Sequence, residues 1–444
     1  MLNRRHFIAS LAAAAVQAQT NRPNIVFFLL DDAGIGDFGC YGQKHIKTPN
    51  FDRLAREGMR FTAHYAGDTV CAPSRSALMT GLHSGHGPIR ANAGTAPIAA
   101  SDATFVAMLK KAGYRTGGFG KWGLGDKGTT GDPLRHGFDE FFGYYHQIHA
   151  HSYYPEFLWD SGKRLDLGKK TYSADLIADR SVDFLRKKPG QPFFLYATYT
   201  LPHAQFEIPS NAPYSSEPWS EGAKNFAAMV SRSDYHFGRI LKTLEDLKLA
   251  DNTIVILTSD NCAPAGADRG YETFRSNLDL RGQKGQMYEG GIRVPLIVRW
   301  PGKVKPASQS AFPCAFWDFF PTLAEITGEA APQGLDGVSL IPTLTGKGVQ
   351  RQRECLYWEL YNWNAARGFL PNSMKQAARD GKWKAVREKP GGPMELFDLA
   401  ADPGESRDVA AEFPDVARKM EAILKRAHAE PRPHTGGTST WVSE

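Results

Sequence analysis

The run Asn24 to Leu30 (NIVFFLL) admits few folds. It is almost continuously apolar, rich in β-branched and aromatic residues, too short for a buried helix, and bounded by Pro23 and Gly34, which predicts a strand covered on both faces. It ends directly on the polar pair Asp31-Asp32. Helical and strand patterns then alternate along the chain. Helices are expected over Asn50 to Glu57 with Asn50 as cap, Asp102 to Ala112, Ser173 to Lys187, Ala223 to Leu249 and Trp317 to Ile326. Strands are expected over Tyr114 to Phe119, Phe193 to Tyr199, Thr253 to Ser259 and Leu296 to Trp300. Such alternation predicts an α/β fold, a large, mostly parallel sheet sandwiched by helices.

The texture changes after about residue 345. Short strands are expected at Cys355 to Leu360 and Gln376 to Val386, and a last helix from Glu412 to Ala429. This gives a catalytic domain over 19–345 and a smaller C-terminal α+β domain over 346–444. The first residues stand apart: Asn3-Arg4-Arg5 precedes an apolar run, Ala9 to Val16, and small residues around Ala18. That is the pattern of a twin-arginine signal peptide over 1–18, and the run is far shorter than the roughly 20 residues a bilayer requires. The mature chain is therefore expected in a periplasm or beyond it, with no membrane span. Of the formal charge of +6, two units belong to Arg4 and Arg5, and the rest is spread without long basic runs, which argues against a nucleic-acid partner.

Cys40, Cys71, Cys262, Cys314 and Cys355 are too few and too scattered for a disulfide scaffold, and none has CxxC spacing, which argues against a cysteine zinc site. In an open α/β sheet, ligands bind beyond the carboxyl ends of the strands. The residues there are polar: Asp31 and Asp32, Lys121, His203, and Asp260-Asn261. One crevice accommodates them all. Asp31, Asp32, Asp260 and Asn261 offer only oxygen, a donor set that suits Ca2+, with Mg2+ as the alternative.

Cys71-Ala72-Pro73-Ser74-Arg75, expected as a short polar turn and followed by Leu78-Met79-Thr80-Gly81, resembles the signature of the sulfatase family, in the alkaline phosphatase superfamily. The Asp pair, Gly120-Lys121-Trp122, Pro202-His203, Ser259-Asp260-Asn261 and Gly285 to Pro295 (GQMYEGGIRVP) occur in family order, so the resemblance covers roughly residues 22 to 430.

The resemblance implies that a maturation enzyme oxidises Cys71 to formylglycine, an aldehyde whose hydrate attacks a sulfate monoester. Asp31, Asp32, Asp260 and Asn261 are then the calcium ligands, with the modified Cys71 completing the shell. Arg75 fixes the nucleophile, Lys121 and Lys284 hold sulfate oxygens, and His203 lies near the leaving oxygen. The substrate implied is a sulfated sugar or polysaccharide fragment. A phosphonate monoester or phosphodiester hydrolase of the same superfamily, and a non-catalytic binder of sulfated glycans, are the alternatives. The binder arises from one departure: Gly123 stands where the family commonly has a histidine after Lys121-Trp122. His146, His149 and His151, set between Tyr144-Tyr145 and Tyr153-Tyr154, are candidate substrate-binding groups, with loop packing as the bland alternative.

Overall fold

The protein is described by a computed structural model over residues 22–432, apart from 93–95, 188–189, 365–367 and 371. The signal-peptide segment and most of the C-terminal tail lie outside the described residues. Ten strands form the main sheet: β1 (Asn24–Leu30), β2 (Met59–Phe61), β3 (Arg115–Lys121), β4 (Glu140–Tyr144), β5 (Phe157–Asp160), β6 (Lys163–Asp166), β7 (Phe193–Thr198), β8 (Thr253–Ser259), β9 (Leu296–Arg299) and β10 (Ser308–Ser310). Their order is β10-β2-β9-β8-β1-β7-β3-β4-β5-β6. The centre, β8-β1-β7-β3-β4, is parallel, and antiparallel pairs join β9 to β8 and to β2 on one side and β5 and β6 on the other.

The apolar run of β1 is explained by its position. Ile25, Phe27 and Leu29 pack beneath α2 (Cys71–Thr80), α3 (Phe105–Lys111) and α6 (Phe319–Thr327). Val26, Phe28 and Leu30 face the other way, toward α1 (Pro49–Glu57), α4 (Ser173–Arg186) and α5 (Glu221–Asp246). Every one of these six side chains is fully buried, each contributing about 1.5–3 kcal/mol of apolar burial. The expected mostly parallel sheet with helices on both faces is the observed one.

Three local expectations are corrected. The CAPSR segment is not a turn but the first half of α2, buried throughout, with Pro73 in the first turn, where a missing N–H costs nothing. Asn50 does not cap α1. The helix starts at Pro49, and its exposed amides are met from α5, where Asp234 Oδ1 accepts from Asn50 N–H at 2.9 Å and from Phe51 N–H at 2.8 Å. The run from Gln376 to Val386 is two strands rather than one, divided at Gly381-Lys382.

The C-terminal part is a four-stranded antiparallel sheet, β11 (Leu356–Leu360), β12 (Lys375–Asp380), β13 (Trp383–Arg387) and β14 (Glu395–Asp398), with α7 (Pro414–Arg426) on one face. Its other face packs on the main domain through Trp358, which lies 5.6 Å from Trp317. This sheet also grips the segment 284–289. Lys375 donates to Gly285 O (3.1 Å), Glu388 accepts from Met287 N–H (2.8 Å), and Glu405 accepts from Glu289 N–H (2.6 Å). Lys384, fully buried, joins Glu289 at 3.0 Å and Glu405 at 2.8 Å. Cys40, Cys71, Cys262, Cys314 and Cys355 are all free thiols. No helix among the described residues is long and apolar enough to cross a membrane.

Candidate active site

Parallel pairing of β1 with β8 sets Leu30 beside Ser259, so the residues that follow each strand emerge side by side. Asp32 N–H donates to Asp260 Oδ1 at 3.2 Å, and Asn261 Nδ2 donates to Asp32 Oδ1 at 2.7 Å. Asp32 itself has φ of 68°, a left-handed conformation that Asp tolerates better than most residues. The N-terminus of α2 points into the same space and brings Cys71, whose Sγ lies 3.5 Å from Asp31 Oδ1. Ser74 locks the helix there by donating to Asp260 O at 2.5 Å.

Cations converge on this cluster. Lys121, the last residue of β3, sits 2.6 Å from Asp31 Oδ2, and Lys284 sits 2.7 Å from Asp32 Oδ1. Arg75, one turn after Cys71 on α2, reaches Asp260 Oδ2 through Nε at 2.9 Å and Nη2 at 2.8 Å. Its Nη1 donates to Lys121 O at 2.9 Å and to Thr198 Oγ1 at 2.5 Å. His203 Nε2 lies 3.4 Å from Lys284 Nζ and 3.6 Å from Asp32 Oδ2. Arg75, Lys121, Asp31, Asp260 and Asn261 are all fully buried.

The electrostatics follow from this crowding. Burial alone would raise the Asp31 carboxyl, but Lys121, His203, Arg75 and Lys284 together hold it well below the usual range. Asp260 goes the other way, to about 6, because burial and the neighbouring Asp31 outweigh Arg75. Burial also pushes the Cys71 thiol up to about 12, Lys121 and Lys284 offsetting only part of the rise. At neutral pH Cys71 is thus a thiol and a poor nucleophile as it stands. His203 is pulled below its ordinary value by burial, against Asp32 and Asp31.

The donor set fits a hard cation. Ligand atoms of Asp31, Asp32, Cys71 and His203 lie within 4.8 Å of one another. Asn261 Oδ1 is buried with no hydrogen-bond partner in the protein, which is the state of an amide oxygen that a cation satisfies. The three carboxylates are each engaged within the protein, Asp31 by Lys121, Asp32 by Lys284 and Asn261 Nδ2, and Asp260 by Arg75 and Asp32 N–H.

The three loop histidines separate. His151 stacks on His203, ring centroids 4.3 Å apart and planes 13° from parallel, so it borders the pocket. His149 is buried edge-on to Tyr144 (4.9 Å) and against Phe157 (4.5 Å), and His146 Nδ1 accepts from Ile148 N–H at 3.2 Å. Packing therefore accounts for the position of His149, and a local turn contact for that of His146. A separate cavity of about 810 Å³ opens in the C-terminal part, lined among others by Tyr361, Trp363, Phe369, Asn372, Gln376 and Arg387. Two of its lining residues, Tyr361 and Gln376, belong to segments that are hydrogen-bonded to the larger part of the chain. Tyr361 N–H donates to Arg90 O at 2.9 Å, close to Asn92, which accepts from Ala72 N–H at 2.9 Å; and Gln376 follows Lys375, which holds Gly285.

The sulfatase family model matches residues 23–329, and the model described as N-sulphoglucosamine sulphohydrolase, C-terminal, matches residues 282–430. The chain belongs to the sulfatase family. By class it is a sulfuric ester hydrolase. It is 30% identical to an N-acetylgalactosamine-6-O-sulfatase of Bacteroides thetaiotaomicron, over 91% of this chain and 93% of that protein. It is likewise 30% identical to a steryl-sulfatase of Mus musculus, over 93% of this chain and 82% of that one. Among solved structures, Ps i-CgsB in complex with k-i-k-neocarrahexaose superimposes with a TM-score of 0.82 at 26% identity, covering 92% of this chain and 94% of that one.

Proposed function

We propose that this chain removes a sulfate ester from a sulfated sugar or polysaccharide fragment, with formylglycine made from Cys71 as nucleophile and a calcium ion held by Asp31, Asp32, Asp260 and Asn261. The observation that carries the reading is the meeting of Cys71 with four basic side chains, Arg75, Lys121, Lys284 and His203, around three carboxylates, Asp31, Asp32 and Asp260, in one buried pocket. The calcium ion would supply Lewis-acid charge at the sulfate oxygens, and magnesium is the other hard ion these donors suit. Formylglycine would supply a geminal diol, a nucleophile no unmodified side chain offers.

The chain's own residues do the rest. A sulfate monoester spreads its charge over three oxygens, and the bridging oxygen gains charge as the S–O bond breaks. Lys121 and Lys284 bind the first kind of oxygen by ammonium contacts in a site from which water is largely excluded, where such contacts are strongest. Arg75, pinned by Asp260, Thr198 and Lys121 O, fixes the side chain at 71 from one turn along the same helix. His203, at the open edge of the cluster, is placed to protonate the departing oxygen.

A sugar substrate is favoured by the names of the bacterial relative and of the hexaose complex, and by the aromatic-lined cavity of the C-terminal part. Export is inferred from Asn3-Arg4-Arg5 and the apolar run that follows, with cysteine oxidation by a maturation enzyme taking place on the unfolded chain before export. Mass spectrometry of the peptide containing residue 71, after expression with a formylglycine-generating enzyme, is the test, followed by a panel of sulfated oligosaccharides, an aryl sulfate and an aryl phosphodiester. An unmodified thiol in a protein that turns over sulfate esters would overturn the nucleophile. Faster phosphodiester cleavage would overturn the reaction, and glycan binding without sulfate release would favour a binder.

A further inference from the structure

Gln147 is a polar side chain beside the pocket to which the mechanism above gives no role. It is 5% exposed, and neither Oε1 nor Nε2 finds a hydrogen-bond partner within the protein. Buried carboxamides are nearly always bonded, so one with both ends open marks a place where the partner comes from outside the chain.

The direction of the side chain is fixed by Gly123. A Cβ on Gly123 would stand 2.5 Å from Gln147 Oε1 and 3.7 Å from Arg75 Cδ. Arg75 and Cys71 are four residues apart on α2 and share a face. The Gln147 amide therefore enters the catalytic pocket through the space that the missing side chain at 123 leaves open. The backbone supports this arrangement: Trp122 N–H donates to Tyr144 O at 2.9 Å and Gly123 N–H to Tyr145 O at 3.1 Å, so the two segments are held in register. Gly123 has φ of +77°, in the left-handed region where a side chain is strained.

We propose that the Gln147 carboxamide is a substrate-binding group of the Cys71 pocket, hydrogen-bonding an oxygen of the sulfate group from the space left open above Gly123. The assignment rests on the sulfatase reading above. An amide neither gains nor loses a proton between pH 4 and 9, so it orients the anion without taking part in proton transfer.

The test is Gln147→Leu, which keeps the volume and removes the polar atoms, with Gln147→Met as a second isostere should the leucine branch not pack. Because the buried amide is unpartnered in the free protein, the variant is expected to melt at or above the wild-type temperature while kcat/KM for an aryl sulfate falls about ten- to a hundredfold. The rise in Tm produced by inorganic sulfate is expected to shrink in parallel. Wild-type turnover by both isosteres, or an unchanged sulfate-induced shift, overturns the proposal. If the wild-type protein hydrolyses no sulfate ester, yet sulfate raises its Tm and the isosteres lose that shift, the sulfatase reading fails and the role of Gln147 in anion binding stands.

Discussion

Lys121 Nζ lies 2.6 Å from Asp31 Oδ2 with both side chains fully buried. Removing the ammonium leaves a buried carboxylate with only Arg75, at 3.5 Å, and more distant charges nearby. Lys121→Ala is expected to lose about 3 kcal/mol of stability in denaturant titration and at least a hundredfold in kcat. Wild-type turnover by a folded Lys121→Ala protein would remove Lys121 from the mechanism.

Cys71→Ser is expected to react once with an aryl sulfate and then stall. Its single hydroxyl can attack sulfur and release the alcohol, but it cannot expel sulfate by forming a carbonyl. Intact-mass spectrometry checks for a stable sulfated protein, and multiple turnovers by this variant would contradict the role given to the residue.

Chelation is expected to abolish turnover and lower Tm, with calcium restoring both. Asn261→Leu removes the buried amide oxygen that lacks a protein partner, so calcium affinity is expected to fall about tenfold or more in calorimetry. Undiminished calcium binding by this variant would take Asn261 out of the donor set.

Asp68 provides a pH signature. It is fully buried, its Oδ2 has no hydrogen-bond partner, and burial pushes its carboxyl up to about 8, with Glu359 adding to the rise. In the unfolded chain the same group ionises near pH 4. Between these values the folded state holds the extra proton, so stability falls as pH rises from about 4 to 8, on the order of a few kcal/mol in all. Asp68→Asn is expected to flatten that slope in urea titrations across the window; an unchanged slope would show that Asp68 is ionised in the fold.

Trp363 lines the cavity of the C-terminal part and packs edge-on to Phe369 at 4.9 Å. Trp363→Ala is expected to raise KM for a sulfated oligosaccharide about tenfold while leaving kcat/KM for an aryl sulfate unchanged. Equal effects on both substrates would mean that the cavity is not part of the sugar site.

The sequence made the central strands legible because β1 and β8 are covered on both faces, and such strands cannot hide their apolar runs. For the same reason the polar pairs that end them, Asp31-Asp32 and Asp260-Asn261, were conspicuous. Local patterns failed where the deciding partner is distant in sequence. Asn50 has the chemistry of a cap, yet Asp234, in the middle of α5 and 184 positions further along the chain, meets the first amides of α1. The α2 helix shows no amphipathic period since all of it is buried. Asp380-Gly381 carries a hairpin signal in the sequence, and the chain turns there, pairing Asp380 with Trp383. Gln147, set between histidines, drew no notice as a neutral residue; only the space above Gly123 reveals its direction.

The grip of the C-terminal sheet on residues 284–289 couples the smaller part of the chain to the pocket. Lys284 lies in the larger part and reaches Asp32 from there, yet the residues beside it are held by Lys375, Glu388 and Glu405. A disturbance far from the aspartates, in the C-terminal sheet, therefore has a short mechanical route to one of the cations that face them.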